Sequence, residues 1–284
     1  MASLTACAAS STDLGPELSP DQKADLLADY AVNIESWYAD LDFNARFDKA
    51  ARDGFSSVEF WFIDSWDRKA SELSKRALDA GLGVAQIVGD CPPLALKKSR
   101  DLFLENCKKA VENARILNTE IITFTGHQNI EGVSKAESLK IYRDHFAAAA
   151  SIFEDGKVFA AIEPFNPYDH PGHFLYGSSD AVEIIRSIGS PFIKLNWDLF
   201  HMQRYEGELI GNLKRHADTI CYAQLADAPD RAQPGTGEVN YAPVLKQLRA
   251  DGYSRPIGLE FWAKDKNYDQ ALLDMLSLAQ AVKS

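Results

Sequence analysis

Four side chains with oxygen ligand atoms end successive apolar segments in the second half of this 284-residue chain. They are Glu163 after VFAAI, Asp198 after FIKLNW, Gln224 in ICYAQL and Glu260 after PIGL. Consecutive members of this set are 35, 26 and 36 residues apart, each close to the length of one strand–helix unit. If the segments are neighbouring parallel strands, the four side chains meet at one end of a sheet.

Three carboxylates gathered at one place repel one another and raise one another's pKa. A divalent cation removes that repulsion, and an oxygen set of three carboxylates and one amide suits Mg²⁺ or Mn²⁺ better than structural zinc. A single acidic residue at a strand end is more often a helix cap or a solvated group, so the argument depends on the whole set. We therefore predict one divalent metal ion held by Glu163, Asp198, Gln224 and Glu260.

The segments that carry these residues belong to a regular alternation of apolar runs and helix-like spacing. Eight strand candidates are present: 30–36, 57–62, 83–88, 120–125, 158–163, 192–198, 220–225 and 256–261. Eight such units without a linker predict a single (β/α)8 TIM barrel over residues 28–284, after a tail and helical lead-in at 1–27. A doubly wound open sheet is the alternative, but NIESWYADLD after the first strand lacks a glycine-rich phosphate loop.

Composition limits the classes of partner. The formal net charge is -11, from 41 acidic and 30 basic side chains, which disfavours nucleic acid and anionic membranes. No apolar run approaches the roughly 18 to 20 residues of a membrane helix. The four cysteines form no CxxC pair, and the first residues lack a basic leader, so we expect a reducing, cytoplasmic setting.

Several motifs, taken together, resemble the hydroxypyruvate isomerase family of the xylose isomerase-like barrel superfamily, to which ketose 3-epimerases are related. The motifs are VEFWF, IEPFNP, KLNWDLFHMQ, YAQLADAPDR, GTGEVNY and IGLEF, and the likeness covers about residues 30–261. The resemblance implies the same four metal ligands, with Glu163 and Glu260 also transferring protons. It further implies that His201 and Arg231 contact substrate oxygens and that Asp169 faces the far end of the substrate.

Such a site would isomerise an unphosphorylated α-hydroxy carbonyl compound by moving a proton through an enediolate, whose charge a metal stabilises. The leading interpretation is conversion of hydroxypyruvate to tartronate semialdehyde, or of a related sugar acid. A ketose 3-epimerase, and a lyase or deglycosidase that acts on 3-keto-glycosides, are alternatives with the same site. A non-catalytic carbohydrate-binding barrel is another class. A zinc nuclease is disfavoured, because only six histidines are present.

The chain departs from the resembled family at two places. FWAKD follows the eighth strand where a Lys-Pro pair is common, and GDCPPLALKK stands in place of the longer glycine- and arginine-containing loop whose cations would hold a substrate carboxylate. Aromatic residues near the strand ends, Trp262 among them, either pack the barrel rim or face a carbohydrate substrate. We therefore include Trp262 among the predicted substrate-binding residues.

Other polar residues carry weaker expectations. His127, at the end of the fourth strand, either reaches the substrate or hydrogen bonds to the backbone. His170 and His173 are expected in a solvated loop, with a position at the border of the pocket as the alternative. Glu59, inside the second strand, is expected to be buried and paired with a basic neighbour. The partner is a small carbohydrate or keto acid, and a homo-oligomer is compatible with the sequence.

Overall fold

The computed structural model describes residues 18–284 and confirms the (β/α)8 barrel. Eight parallel strands close in chain order, with β1 paired to both β2 and β8. The strands are β1 Tyr30–Asn33, β2 Ser57–Glu59, β3 Gly83–Val88, β4 Ile121–Phe124, β5 Phe159–Ile162, β6 Ile193–Asp198, β7 Ile220–Gln224 and β8 Ile257–Leu259. All eight lie within the predicted segments, and the observed and predicted bounds differ only at the segment ends.

In the described part of the chain, ten α-helices accompany the strands. They are α1 Pro20–Leu27, α2 Phe43–Asp53, α3 Ala70–Asp79, α4 Arg100–Leu117, α5 Lys135–Gly156, α6 Ser178–Ile188, α7 Leu199–Tyr205, α8 Leu209–His216, α9 Tyr241–Ala250 and α10 Tyr268–Lys283. The connection between β6 and β7 holds both α7 and α8, neither of which the apolar spacing had predicted. This connection matters for the site because α7 begins at the residue after Asp198.

The helical lead-in to the barrel is α1, which begins with a capping box. The Ser19 hydroxyl accepts from the backbone N–H of Gln22, and the Gln22 side chain accepts from the backbone of Ser19. Lys283 at the end of α10 pairs with Asp25 at 2.9 Å, which joins the two ends of the described chain. Residues 1–17 of the predicted tail and lead-in at 1–27 lie outside the described residues, so the boundary at residue 28 stays a prediction.

The centre of the barrel contains a buried polar network rather than an ion pair. Glu59 Oε1 accepts from Asn33 Nδ2 at 2.9 Å and from Gln224 Nε2 at 3.0 Å, while Tyr222 donates to Glu59 Oε2. The expectation of a basic neighbour for Glu59 was wrong, because amide and hydroxyl donors satisfy this carboxylate instead. Gly258 in β8 leaves room for it, since a Cβ there would lie 2.3 Å from Glu59 Oε2.

The helices and the cysteines of the structure agree with the expectations from the sequence. Within residues 18–284, no helix has the length and apolar character required to cross a bilayer. Cys91, Cys107 and Cys221 are free thiols, as expected of a chain without a disulfide framework.

Candidate active site

Strand register sets three of the four predicted metal ligands side by side. Asp198 in β6 is the register partner of Gln224 in β7, and Gln224 is the register partner of Gly258 in β8. Glu260 follows Gly258 by two residues, and side chains two residues apart in a strand point to the same face. Glu163 directly follows β5. The carboxyl ends of β5 to β8 therefore form one acidic end of the barrel.

Arg231 and the acidic residues form a compact, buried charge cluster. Arg231 Nη2 donates to Asp198 Oδ2 at 2.9 Å and to Glu260 Oε2 at 2.8 Å. The second oxygen of Glu260 accepts from Trp61 Nε1 at 2.7 Å. In contrast, no protein group in residues 18–284 hydrogen bonds to the carboxylate of Glu163. His201 Nε2 lies 3.7 Å from Glu163 Oε1, which is too far for a hydrogen bond. Glu163 is thus the acid with the most freedom to exchange a proton.

Burial raises the pKa of all three acids, and repulsion by neighbouring carboxylates adds to this effect for Glu163 and Glu260. Burial raises the pKa of Glu260 to about 8, although Arg231 acts in the opposite direction. The pKa of Glu163 is raised well above its usual value by burial, and then by the charges of Glu260 and Asp198. Burial also raises the pKa of Asp198, against the lowering effect of Arg231. The charge of Arg231 therefore offsets only part of the effect of burial on these pKa values.

Two of the predicted ligands are grouped closely enough to bind one divalent cation. Ligand atoms of Glu163 and Asp198 lie within 4.8 Å of each other and of a nitrogen of His201, and Glu260 is not part of this group. Gln224 is oriented by its neighbours: its Nε2 donates to Glu59, so its Oε1 accepts from Asn196 Nδ2 at 2.6 Å. An amide oxygen has two lone pairs, so Gln224 Oε1 can accept from Asn196 and still bind a cation.

The hydrogen bonds of Asn166 fix which nitrogen of His201 carries hydrogen. Backbone N–H groups of Tyr168 and Asp169 donate to Asn166 Oδ1 at 3.0 and 3.1 Å, so the amide nitrogen Nδ2 faces His201 Nδ1 at 2.7 Å. An amide NH₂ can only donate, so Nδ1 accepts and the hydrogen of the neutral ring is on Nε2.

Because Nε2 carries hydrogen in this tautomer, His201 does not bind a metal through Nε2. Within residues 18–284, His201 Nε2 is buried without a hydrogen-bond partner, and it lies 3.5 Å from Asp198 Oδ2. Burial, followed by the charge of Arg231, lowers the pKa of His201 well below its usual value, so the ring is neutral. A protonated Nε2 has no lone pair for a cation, and it can instead donate to an oxygen of a bound molecule.

A cavity of about 230 Å³ opens over this cluster. Its polar lining comes from Glu163, His170, His201, Arg231 and Glu260. Its apolar lining comes from Trp61, Phe62, Val88, Phe165 and Trp262, together with Thr125. The cavity is therefore large enough for a small organic molecule, and its lining combines acidic side chains with aromatic rings.

Two predicted substrate-binding residues lie away from this cavity. His127 is fully buried, with Nε2 at 2.9 Å from the backbone oxygen of Glu163 and Nδ1 at 3.0 Å from His173 Nδ1. Both ring nitrogens are thus engaged within the protein, which matches the backbone-bonded alternative. Asp169 is absent from the cavity lining and pairs with Arg204 at 3.5 Å.

The loop after β5 is less solvated than expected. His170 lines the cavity and stacks on Phe165, with ring centroids 4.1 Å apart. His173 is held against His127. Both histidines are half-buried, and their neighbour Tyr168 is exposed, so the loop is partly solvated, while His170 matches the alternative of a residue at the border of the pocket.

Asp227 organises the loop that carries Arg231, and sequence reasoning did not single it out. Its carboxylate accepts from the backbone N–H groups of Gly235 and Gly237 at 2.9 Å each and of Val239 at 3.2 Å. The backbone oxygen of Arg231 accepts from the N–H of Trp262 at 3.1 Å. The available signal was the second acid in YAQLADAPDR, followed by the paired glycines of GTGEVNY.

Comparison with known proteins agrees with this fold. Residues 47–278 match the family described as xylose isomerase-like TIM barrel, and the chain belongs to that family. The solved apo structure of E. coli 3-keto-D-glucoside 4-epimerase has a TM-score of 0.75 and 18% identity, and the alignment covers 89% of this chain and 99% of that one. At this identity the likeness concerns the fold alone.

Two relatives are close enough to narrow the family. Hydroxypyruvate isomerase of Escherichia coli K12 is 30% identical over 241 residues, which is 82% of this chain and 92% of that protein. The 2-oxo-tetronate isomerase of Cupriavidus necator is 31% identical over 242 residues, with the same two coverages. The chain thus falls among the hydroxypyruvate isomerases and their relatives, and it is an enzyme of the isomerase and epimerase class.

Proposed function

We propose that this enzyme is a divalent-metal-dependent isomerase or epimerase acting on an unphosphorylated α-hydroxy carbonyl compound. The observation that carries the proposal is the gathering of three buried acids and one arginine beside a small cavity. A divalent ion at this place would lower the raised pKa values of the acids and offset their mutual repulsion.

Glu163, Asp198, Gln224 and Glu260 are the proposed ligands of this ion, which is Mg²⁺ or Mn²⁺. When bound, the ion polarises the carbonyl and hydroxyl oxygens of the substrate and stabilises the negative charge of the enediolate. This oxygen-only set is consistent with hard or borderline cations.

Glu163 and Glu260 are the proposed proton-transfer groups. Glu163 has no protein hydrogen bond to its carboxylate within residues 18–284, so it is the better base, whereas Trp61 and Arg231 hold Glu260 in place. His201 donates from Nε2 to a substrate oxygen, where it stabilises developing charge. Arg231 reaches the same end of the cavity and adds a positive charge there.

The names of the relatives make hydroxypyruvate and 2-oxo-tetronate the first substrates to test. Ketose 3-epimerisation is the second candidate. The aromatic residues of the cavity lining favour it, because aromatic rings pack on the C–H faces of sugars. Elimination from a 3-keto-glycoside would use the same acids. We infer a cytoplasmic setting and a small-molecule partner, and the possible homo-oligomer stays a prediction.

Solvent exchange tests this proposal without assuming a product. Metal-loaded enzyme in D₂O should incorporate deuterium at the carbon beside the carbonyl, measured by ¹H NMR across keto acids and ketoses, and chelation should stop the exchange. Glu163→Gln should reduce the exchange rate by about 10²- to 10⁴-fold, the typical contribution of a general base. Glu112→Gln, on the exposed surface of α4, is the matched control. Full exchange by Glu163→Gln would contradict the assigned role.

A further inference from the structure

We propose that His170 hydrogen bonds to a hydroxyl group of the substrate that lies outside the reacting α-hydroxy carbonyl unit, so that the enzyme selects substrates with this hydroxyl. The inference rests on the proposed function and adds a specificity-determining residue to it. His170 is neither a proposed metal ligand nor a proposed proton-transfer group, so its role concerns the choice of substrate and not the transfer of a proton.

Both ring nitrogens of His170 are available to a bound molecule. Of the described residues, His170 and His201 are the histidines of the cavity lining, and Asn166 occupies Nδ1 of His201. Within residues 18–284, no protein group hydrogen bonds to either ring nitrogen of His170. The ring hydrogen bonds of the other histidines involve His127, His145, His173 and His201. The cavity is therefore the place where His170 can use its polar atoms.

The ring of His170 is held in place before any molecule binds. Its backbone N–H donates to the backbone oxygen of Asn166 at 3.2 Å, and its backbone oxygen accepts from the hydroxyl of Tyr176 at 2.9 Å. The ring stacks on Phe165, with centroids 4.1 Å apart and an interplanar angle of 24°. A side chain that is already ordered loses little freedom when it binds a ligand, so a hydrogen bond from this ring is effective.

The position of His170 relative to the acids indicates which part of a substrate it meets. His201 Nε2 lies 3.5 Å from Asp198 Oδ2 and 3.7 Å from Glu163 Oε1, whereas the described residues include no such carboxylate neighbour of His170. The centroid of the His170 ring lies 5.2 Å from that of His201. A molecule whose reacting carbons lie against Glu163 therefore meets His201 near those carbons and reaches His170 with a group beyond them.

A neutral imidazole is complementary to a hydroxyl group. Burial, followed by the charge of Arg231, lowers the pKa of His170 to about 4, so this ring is neutral near pH 7. It then has one nitrogen that donates and one that accepts. A hydroxyl can bind to either nitrogen, because it both donates and accepts, whereas a methyl group can bind to neither.

This role separates the two substrates that the relatives' names provide. In 2-oxo-tetronate a C4 hydroxyl lies beyond the carbonyl and its neighbouring hydroxyl carbon, and in hydroxypyruvate no hydroxyl does so. The inference therefore favours substrates of the first type, with a keto acid or a ketose equally acceptable at the other end.

Matched probes that differ by one hydroxyl test the inference. 2-Oxo-tetronate is compared with 3-hydroxy-2-oxobutanoate, and erythrulose with 1,3-dihydroxybutan-2-one, each pair with the same configuration at C3. Metal-loaded enzyme should exchange the C3 hydrogen with a kcat/KM at least about fivefold higher for the member with the C4 hydroxyl, as expected for one hydrogen bond between neutral groups. Equal kcat/KM within both pairs would overturn the inference and leave the proposed function intact.

Two substitutions assign the preference to His170. His170→Phe keeps a flat ring that can stack on Phe165, and His170→Leu removes the ring; both remove the nitrogens. Each should bring the kcat/KM ratio within a pair close to one by reducing turnover of the hydroxyl-bearing member alone. His216→Leu is the control, because His216 is also half-buried but lies outside the cavity lining. An unchanged ratio in the His170 variants, or an equal loss with both members, would contradict the assigned contact.

Binding provides a second readout that needs no turnover. Trp61 and Trp262 line the cavity, so quenching of tryptophan fluorescence gives a Kd for each probe with wild-type protein and with the His170 variants. The wild type should bind the hydroxyl-bearing members more tightly, and the variants should bind both members alike. The same Kd ratio in wild type and variants would overturn the inference even if no probe exchanges. Absence of exchange with every probe would count against the proposed function instead.

Discussion

His201 can donate to a bound oxygen only because Asn166 occupies its other ring nitrogen. The amide is itself oriented by two backbone N–H groups, those of Tyr168 and Asp169. The pair is 35 residues apart in sequence and 2.7 Å apart in space. Asn166, three residues after Glu163, therefore determines the tautomer of a histidine on another element.

Asn166→Asp should reverse the tautomer of His201. A carboxylate at this position still accepts the two backbone N–H groups, but it also accepts hydrogen from Nδ1 and leaves Nε2 without one. We expect kcat/KM to fall by about 10²-fold or more, because a donor to developing charge is lost. The ¹⁵N chemical shifts of the His201 ring report the tautomer directly. Retention of hydrogen on Nε2 in this variant would show that Asn166 does not position it.

At the scale of elements, α7 explains why Asp198 and His201 act at the same place. Asp198 caps α7 by accepting from the N–H of Phe200 at 2.8 Å, so the helix begins without an intervening loop. Residues three apart on a helix lie side by side, which brings His201 over the carboxylate. The sequence contained this spacing, but the seven residues of α7 have too little apolar periodicity to be recognised as a helix.

The loop between β7 and α9 is a second element on which the site depends. A Cβ on Gly237 would lie 2.0 Å from the backbone oxygen of Ala228 and 2.6 Å from Asp227 Oδ1. Gly237→Ala should therefore displace the loop that carries Arg231 and reduce kcat/KM by at least about tenfold, since misplaced charges lose much of their effect. Gly83→Ala is the control, because the nearest atom to its Cβ is 3.8 Å away. Equal activity of the two variants would contradict this dependence.

For the whole molecule, the acid cluster should make the metal-free protein less stable as pH rises. Buried histidines with lowered pKa values add stability with rising pH only up to the unfolded value near 6.5. Acids with raised pKa values bind more protons in the folded state, so each lowers the free energy of unfolding between its unfolded value and its folded value. For Glu260 the folded value is about 8. The net decrease should be clearest between about pH 6.5 and 8.

Thermal unfolding of chelator-treated protein tests this expectation. Its Tm should decrease from pH 6.5 to 8, and saturating Mn²⁺ or Mg²⁺ should remove most of the decrease. At a metal concentration of 100 Kd the expected stabilisation is about 2.7 kcal/mol. Asp198→Asn keeps an oxygen that can cap α7 but loses a charge, so it should lower the metal effect, whereas Asp48→Asn on α2 should not. A metal-free Tm that rises over this pH range would contradict the role of the cluster.

The sequence by itself determined the barrel and the approximate composition of its acidic end. Strand and helix periodicity are local properties, and parallel strands in chain order bring their carboxyl ends to one side, so Glu163, Asp198 and Glu260 could be placed together in advance. The spacing also placed Gln224 beside them, in the register that the strands adopt. These conclusions required only the order of the elements along the chain.

Only the tertiary structure decided the charge balance and the hydrogen-bond directions of the site. Arg231 bridges two acids, Glu59 is satisfied by amides instead of a base, and His127 faces the protein interior; each depends on side chains from distant segments. Their orientation follows from which donors and acceptors remain available after the barrel closes. These hydrogen-bond partners come from segments far apart in the chain, so no local sequence pattern predicts them.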